Sequence, residues 1–117
     1  MQREPAAYLY DIVQAAERIQ RFVGTHSFES YITDELVRAG VERQFEIIGE
    51  ALNHLGQRDK ALLSQIREHQ KIIGFRNILI HGYKEIDDAV VWSVIVEKLP
   101  LLVEDVSVAL AAFDQPS

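Results

Sequence analysis

The sequence contains no cysteine, so neither disulfides nor a cysteine-ligated zinc can hold its fold, and nothing in it points to an oxidising compartment. Long apolar runs are missing too. The longest is Val108 to Phe113, and Arg3, Glu4, Asp11 and Glu17 break up the N-terminal stretch, so neither a membrane span nor a secretory signal is expected. A cytoplasmic location follows as the expectation. Glycine and proline are scarce, 6 and 3 in 117 residues, and no segment alternates apolar and polar residues between hairpin turns, which argues against a β architecture. Glycine-rich phosphate loops, nucleophile elbows and dinucleotide fingerprints are absent. Cations are outnumbered, 12 Lys and Arg against 18 Asp and Glu, and a net charge of −6 argues against a surface that grips nucleic acid everywhere by counterion release.

What is present is 48% apolar residues, enough for one core, and helical periodicity along most of the chain. The expectation is an all-α fold: a single domain over residues 1–117, built as an antiparallel bundle of four main helices plus a short helical turn, with residues 114–117 as a frayed tail. The first helix starts at Pro5, repeats apolar groups at Leu9, Ile12, Val13, Ala16, Ile19, Phe22 and Val23, and ends at Gly24. A polar loop, Thr25 to Ser30, follows. The second helix has Thr33 as its N-cap, a face of Leu36, Val41, Phe45, Ile48, Leu52 and Leu55, and Gly56 as its stop. Gly49 interrupts that face at a cost of about 1 kcal/mol relative to alanine, which implies that another backbone passes close by. Residues 58–65 read as a short turn and residues 66–80 as the third long element, ended by Gly82. The last helix begins after Asp87 and Asp88, and Pro100 must kink or restart it.

Charge is unevenly spread. The window Arg67 to Lys84 holds Arg67, Lys71, Arg76 and Lys84 against Glu68 alone, so it carries +3 while the remainder carries −9. A solvated charge run, or a helix end that prefers cations, is the plainer account of it. On the second helix Glu42, Glu46, Glu50 and His54 follow each other at steps of four and share one face. A metal there needs matching ligands from other helices, and none is found, so the stripe reads as a solvated or arginine-paired face and no metal is expected.

The chemically informative stretch is Gly74-Phe75-Arg76-Asn77-Ile78-Leu79-Ile80-His81-Gly82-Tyr83, where polar side chains interrupt an apolar helix. Arg76 and His81 are five residues apart, about 140° around a helix, and therefore flank a strip of its surface. Asn77 stacks one turn below His81. A histidine in the last helical turn lies where the dipole favours a cation, and the arginine fork suits a phosphate. Cleavage of a phosphodiester by its own 2′-hydroxyl needs a base, an acid and stabilisation of charge on phosphorus. One His and one Arg cover much of this, and second copies across a two-fold axis would separate the acid from the base. On composition alone, a satisfied helix-end histidine and a structural arginine stay open as the alternative.

The run Arg76 to Tyr83 resembles the R-x4-H-x-Y signature of the HepT-like toxins of the HEPN superfamily, with Asn77 as the polar residue after the arginine. The segment Arg43 to Ala51 is similar to the family's second-helix pattern around I-G-E-A, which also accounts for Gly49, and Val91-Trp92 with Leu99-Pro100 resembles its last helix. One departure is Ser64 to Gln70, where family members often carry a proline and a tryptophan. The resemblance implies a HEPN-like, homodimeric, metal-independent ribonuclease toxin without a cofactor, with RNA, including tRNA, as its substrate class. Arg76 and His81 would be the catalytic pair in a cleft between protomers, Asn77 would support them, and Arg67, Lys71 and Lys84 would bind RNA. It further implies an MntA-like nucleotidyltransferase antitoxin as partner, which transfers AMP from ATP to Tyr83. Two other readings compete: a non-catalytic helical binding subunit of a nucleotidyltransferase, and a structural dimerisation bundle. The latter is favoured if Arg76 is buried and paired to Glu46 or Glu50.

Overall fold

The computed structural model of the chain describes residues 4–82 and 86–113. Helix α1, Pro5–Val23, opens on a proline, whose missing N–H costs nothing in a first turn. It closes at Gly24, which adopts a φ of 51° and donates its N–H to the Gln20 carbonyl. That conformation favours glycine over any other residue. The stretch anticipated as a polar loop contains a short helix, α2, Phe28–Ile32. Ser27 and Ser30 cap it reciprocally, each hydroxyl accepting the other's backbone N–H at 3.2 and 3.0 Å. Tyr31 anchors it, fully buried with its ring 5.3 Å from that of Trp92.

Helix α3, Glu35–Arg58, is the spine of the molecule. Its N-cap is Asp34 rather than Thr33: the aspartate Oδ1 accepts the Val37 N–H at 3.0 Å, while the threonine hydroxyl donates back to the Ser30 carbonyl. The helix continues through Gly56, which does not stop it. Asp59 then caps α4, Lys60–Ser64, within the short turn expected there. Helix α5, His69–His81, starts three residues later than its periodicity implies. After it come α6, Asp88–Ser93, capped by Asp87, a π-helical turn Val94–Lys98, and α7, Leu99–Phe113. Within the π turn the Leu99 N–H reaches back five residues to the Val94 carbonyl, which takes the chain into Pro100 without a break. No strand occurs among the described residues. The fold is all-α.

Helix α3 runs antiparallel to α1, as the Arg18–Gln44 hydrogen bond and the Tyr8–His54 ring stack show, and carries α5 on another side. Helix α7 closes over α1. Leu9, Ile12, Ile19, Phe45, Ile48, Leu52, Leu55, Leu99, Leu102 and Val106 fill the space between them. Leu36, expected on the core face, is 82% exposed. The residue that packs against the core is Val37, since a step of four back from Val41 reaches position 37, and Leu36 is rotated about 100° away. No helix among the described residues is long and apolar enough to cross a membrane. Tyr83, Lys84 and the tail 114–117 lie outside the described residues.

Candidate active site

Helix α5 is held to α3 by Ile72, Phe75 and Leu79, a stripe with steps of three and four, and Phe75 meets Phe45 edge-on at 5.2 Å. Arg76 comes next to that stripe and lies half-buried against α3. A β-carbon added at Gly49 would stand 2.6 Å from the Arg76 Cγ and closer still to its Cβ. The close approach anticipated at Gly49 is therefore made by an arginine stem rather than by a backbone. Glycine at this position seats the arginine.

The guanidinium Nη1 donates to the Asn77 Oδ1 at 3.0 Å, and its Nε is buried without a hydrogen-bond partner among the described residues. No carboxylate among the described residues lies within ion-pairing distance of Arg76. Glu46 faces Arg43 at 3.8 Å and Glu50 faces His54 at 3.6 Å, so the pairing that would mark Arg76 as a structural residue is not present. His81 is the exposed final residue of α5, followed by the Gly82 N–H bound to the Ile78 carbonyl. Between the Arg76 and His81 directions, five residues and about 7.5 Å of rise apart, the helix surface carries Ile73, Asn77 and Ile80.

Arg67 is engaged elsewhere. Its Nη2 and Nε fork onto the two Asp105 oxygens at 2.9 and 3.0 Å, its backbone N–H adds 2.8 Å, and Glu104 stands 3.4 Å away. These hydrogen bonds hold the Asp105 carboxyl below the usual range and fasten the segment before α5 to α7. Lys71 shares the Glu68 carboxylate with Lys98, both at 3.2 Å. The structure thus brings Arg76 and Asn77 together, leaves His81 exposed on the neighbouring flank, and places Arg67 against α7.

At the other end of α3 a polar cluster escaped sequence reasoning. Glu42 is half-buried, and burial, then the like charges of Asp88 and Glu46, push its carboxyl above the ordinary range against the opposing pull of Arg38. Arg38 itself pairs with Asp88 at 3.3 Å, and the buried Tyr31 hydroxyl, displaced upward chiefly by burial, has no hydrogen-bond partner among the described residues. The sequence signal was Glu42 within an acidic stripe; Arg38 and Glu46 share its helix, whereas Tyr31 comes from α2 and Asp88 from α6. Among the described residues no three His, Asp or Glu side chains converge on a point that could hold a metal ion.

Residues 12–109 match the family described as ribonuclease HepT-like. The chain belongs to the HepT-like ribonuclease family. Its similarity to a protein of Methanocaldococcus jannaschii named as an RNase is 30% identity, covering 91% of this chain and 96% of that protein. A protein of Thermococcus cleftensis named as a HepT ribonuclease is 34% identical over 87% of this chain and 92% of its own length. A third relative, from Caldanaerobacter subterraneus and also named as an RNase, is 31% identical over 89% and 92%. No solved structure matches the chain. Family membership places the protein in the HEPN superfamily as a ribonuclease, with RNA as its substrate class, and Arg76 and His81 lie inside the matched span.

Proposed function

We propose that this HepT-like ribonuclease is the toxin of a toxin–antitoxin pair, a metal-independent endonuclease whose Arg76 and His81 act in a cleft between two copies of the chain. The observation that carries the reading is an exposed strip of α5 bounded by an arginine without a carboxylate partner among the described residues and a histidine at the helix end. An arginine held by Asn77 alone among the described residues keeps donors for a phosphate oxygen. Since Arg76 and His81 point to different flanks, one copy offers a single proton-transfer group to a phosphodiester. Two are needed.

In this mechanism His81 removes the proton from the ribose 2′-hydroxyl, and the oxygen attacks phosphorus. The bond from phosphorus to the 5′-oxygen breaks, and the partner subunit's His81 gives that oxygen its proton. Arg76 stabilises the charge that develops on the non-bridging oxygens. The products are a 2′,3′-cyclic phosphate and a free 5′-hydroxyl. Tyr83 follows His81 by two residues, so AMP added there by an MntA-like nucleotidyltransferase brings bulk and negative charge beside the catalytic histidine. Lys71, exposed on the same helix, and Lys84 would attract RNA locally, which suits a protein of net charge −6.

The test is cleavage of RNA in EDTA by the wild type and His81→Ala, with the 3′ ends mapped. Cyclic-phosphate ends, and a rate about 10² to 10⁴ lower in the variant, are the expected result. Undiminished cleavage by His81→Ala would sink the mechanism. If neither protein cleaves, and mass measurement shows Tyr83 unmodified, the protein is instead a binding subunit of a nucleotidyltransferase. A monomer in sedimentation at micromolar concentration would remove the shared cleft.

A further inference from the structure

Arg76 shares its flank of α5 with a second polar surface. Residues seven apart on an α-helix return to within about 20° of one direction and stand about 10.5 Å apart, and His69 precedes Arg76 by seven. Along α3 the same seam continues from Gly49, beneath Arg76, to Asn53 and Gln57 at successive steps of four. There a cavity of about 390 Å³ opens between α3, α4 and the start of α5. Asn53, Gly56, Gln57, Lys60, Leu63 and His69 line it.

One detail marks this cavity as a place for a ligand, and it is Gly56. A β-carbon there would stand 2.7 Å from the Leu63 Cδ2, so glycine lets Leu63 lie down against α3 and leaves the space above it open. The lining then combines two side-chain amides, an imidazole, a cation and an apolar floor. Amides offer a donor and an acceptor side by side, which matches the edge of a nucleobase. Sequence-selective reading of RNA acts on unstacked bases of single strands by contacts of this kind.

We propose that this cavity is a base-recognition subsite for a single-stranded nucleotide that flanks the scissile phosphate. Asn53 and Gln57 read the edge of the base, Leu63 and the His69 ring support its face, and Lys60 meets the backbone phosphate. This rests on the ribonuclease reading above, and it adds what that reading lacks, a determinant of where the RNA is cut.

The experiment compares wild type, the double variant Asn53→Ala/Gln57→Ala, Gly56→Ala and His81→Ala. The substrates are short oligoribonucleotides that differ in one base on either side of the cleaved bond. The wild type is expected to prefer one base at a flanking position by on the order of tenfold in kcat/KM, and the double variant to lose that preference. Gly56→Ala should flatten the profile as well, because its methyl group lifts Leu63 into the cavity. Alanine is the better helix former, so that variant keeps its fold. His81→Ala lowers every substrate alike and leaves the ratios in place. A flat wild-type profile, or an unaltered one in both cavity variants, overturns the subsite while the nuclease reading stands. A wild type that cleaves none of the oligonucleotides overturns both.

Discussion

Gly49 and Gly74 are interior glycines of the two helices that frame the site, each about 1 kcal/mol worse than alanine by helix propensity, yet their surroundings are opposites. Gly49 is buried under the stem of Arg76. Gly74 is exposed, and a β-carbon there would meet nothing within 4 Å. The first glycine is explained inside the chain, because any side chain would displace an arginine of the site. The second finds no explanation among the described residues. It lies beside Ile78, an isoleucine 54% exposed one turn further along α5, on the face that α3 leaves uncovered. A glycine and an apolar side chain on an open helix face suit the close approach of another backbone, and the dimer proposed above supplies one.

The larger effect is expected at Gly49. Gly49→Ala must push Arg76 and with it α5 away from α3, a destabilisation of about 3 kcal/mol by the usual cost of overpacking. Denaturant titration measures it, and RNA cleavage should fall with it. Combining Gly49→Ala with Arg76→Gly removes the atoms that clash, so most of the stability should return while cleavage stays lost. If the double variant is only as stable as the sum of the single changes requires, the seat is not specific to Arg76 and the contrast with Gly74 fails.

A smaller effect of opposite sign is expected at Gly74. With open space around it, Gly74→Ala should stabilise the isolated fold by about 1 kcal/mol. The added methyl group stands where a second copy must approach, so sedimentation should show weaker self-association and cleavage should need more protein. An unchanged dimer would detach Gly74 from the interface and leave its lack of a side chain without a structural reason.

How far the sequence could be read follows from the range of each signal. Pro5, Gly24 and Asp87 mark helix ends through local chemistry, and the structure keeps all three. Helix α2 is hidden in the sequence because its reason is tertiary: Tyr31 is buried against Trp92, sixty-one residues on, while the surrounding residues look like a polar connection. Thr33 and Asp34 are both competent caps, and only the path of the chain selects the aspartate. Gly56 resembles a helix stop but serves the packing of Leu63. In the proposed site, the arrangement of Arg76, Asn77 and His81 is legible because their relation is one of helical spacing. The commitment of Arg67 to Asp105 spans thirty-eight residues and could not be read from the window that made it look free. Nor could the cavity at His69, which three separate elements assemble.

The smallest effect extends the contrast from packing to charge. Glu42 stands seven residues before Gly49 and on the same side of α3, where Asp88 of α6 and Glu46 of its own helix face it as like charges, the Tyr31 hydroxyl of α2 adds a buried neighbour, and Arg38 only partly offsets them. Its carboxyl binds a proton more tightly in the folded chain than in the unfolded one. The stability this contributes is fully present below the unfolded value and is lost as pH rises through the folded value. At pH 7 the ionised group is therefore a burden, and Glu42→Gln should raise stability by about 0.5 kcal/mol, within the range of changes away from a packed core. Near pH 4 the gain should disappear, since the native side chain is then protonated. Denaturation midpoints of both proteins at the two pH values decide it. A gain that persists at low pH would show that it does not come from the charge, and a loss at pH 7 would mean that the Arg38 attraction outweighs burial and the facing carboxylates, so that this stretch of α3 is held by charge, whereas the stretch at Gly49 is held by shape.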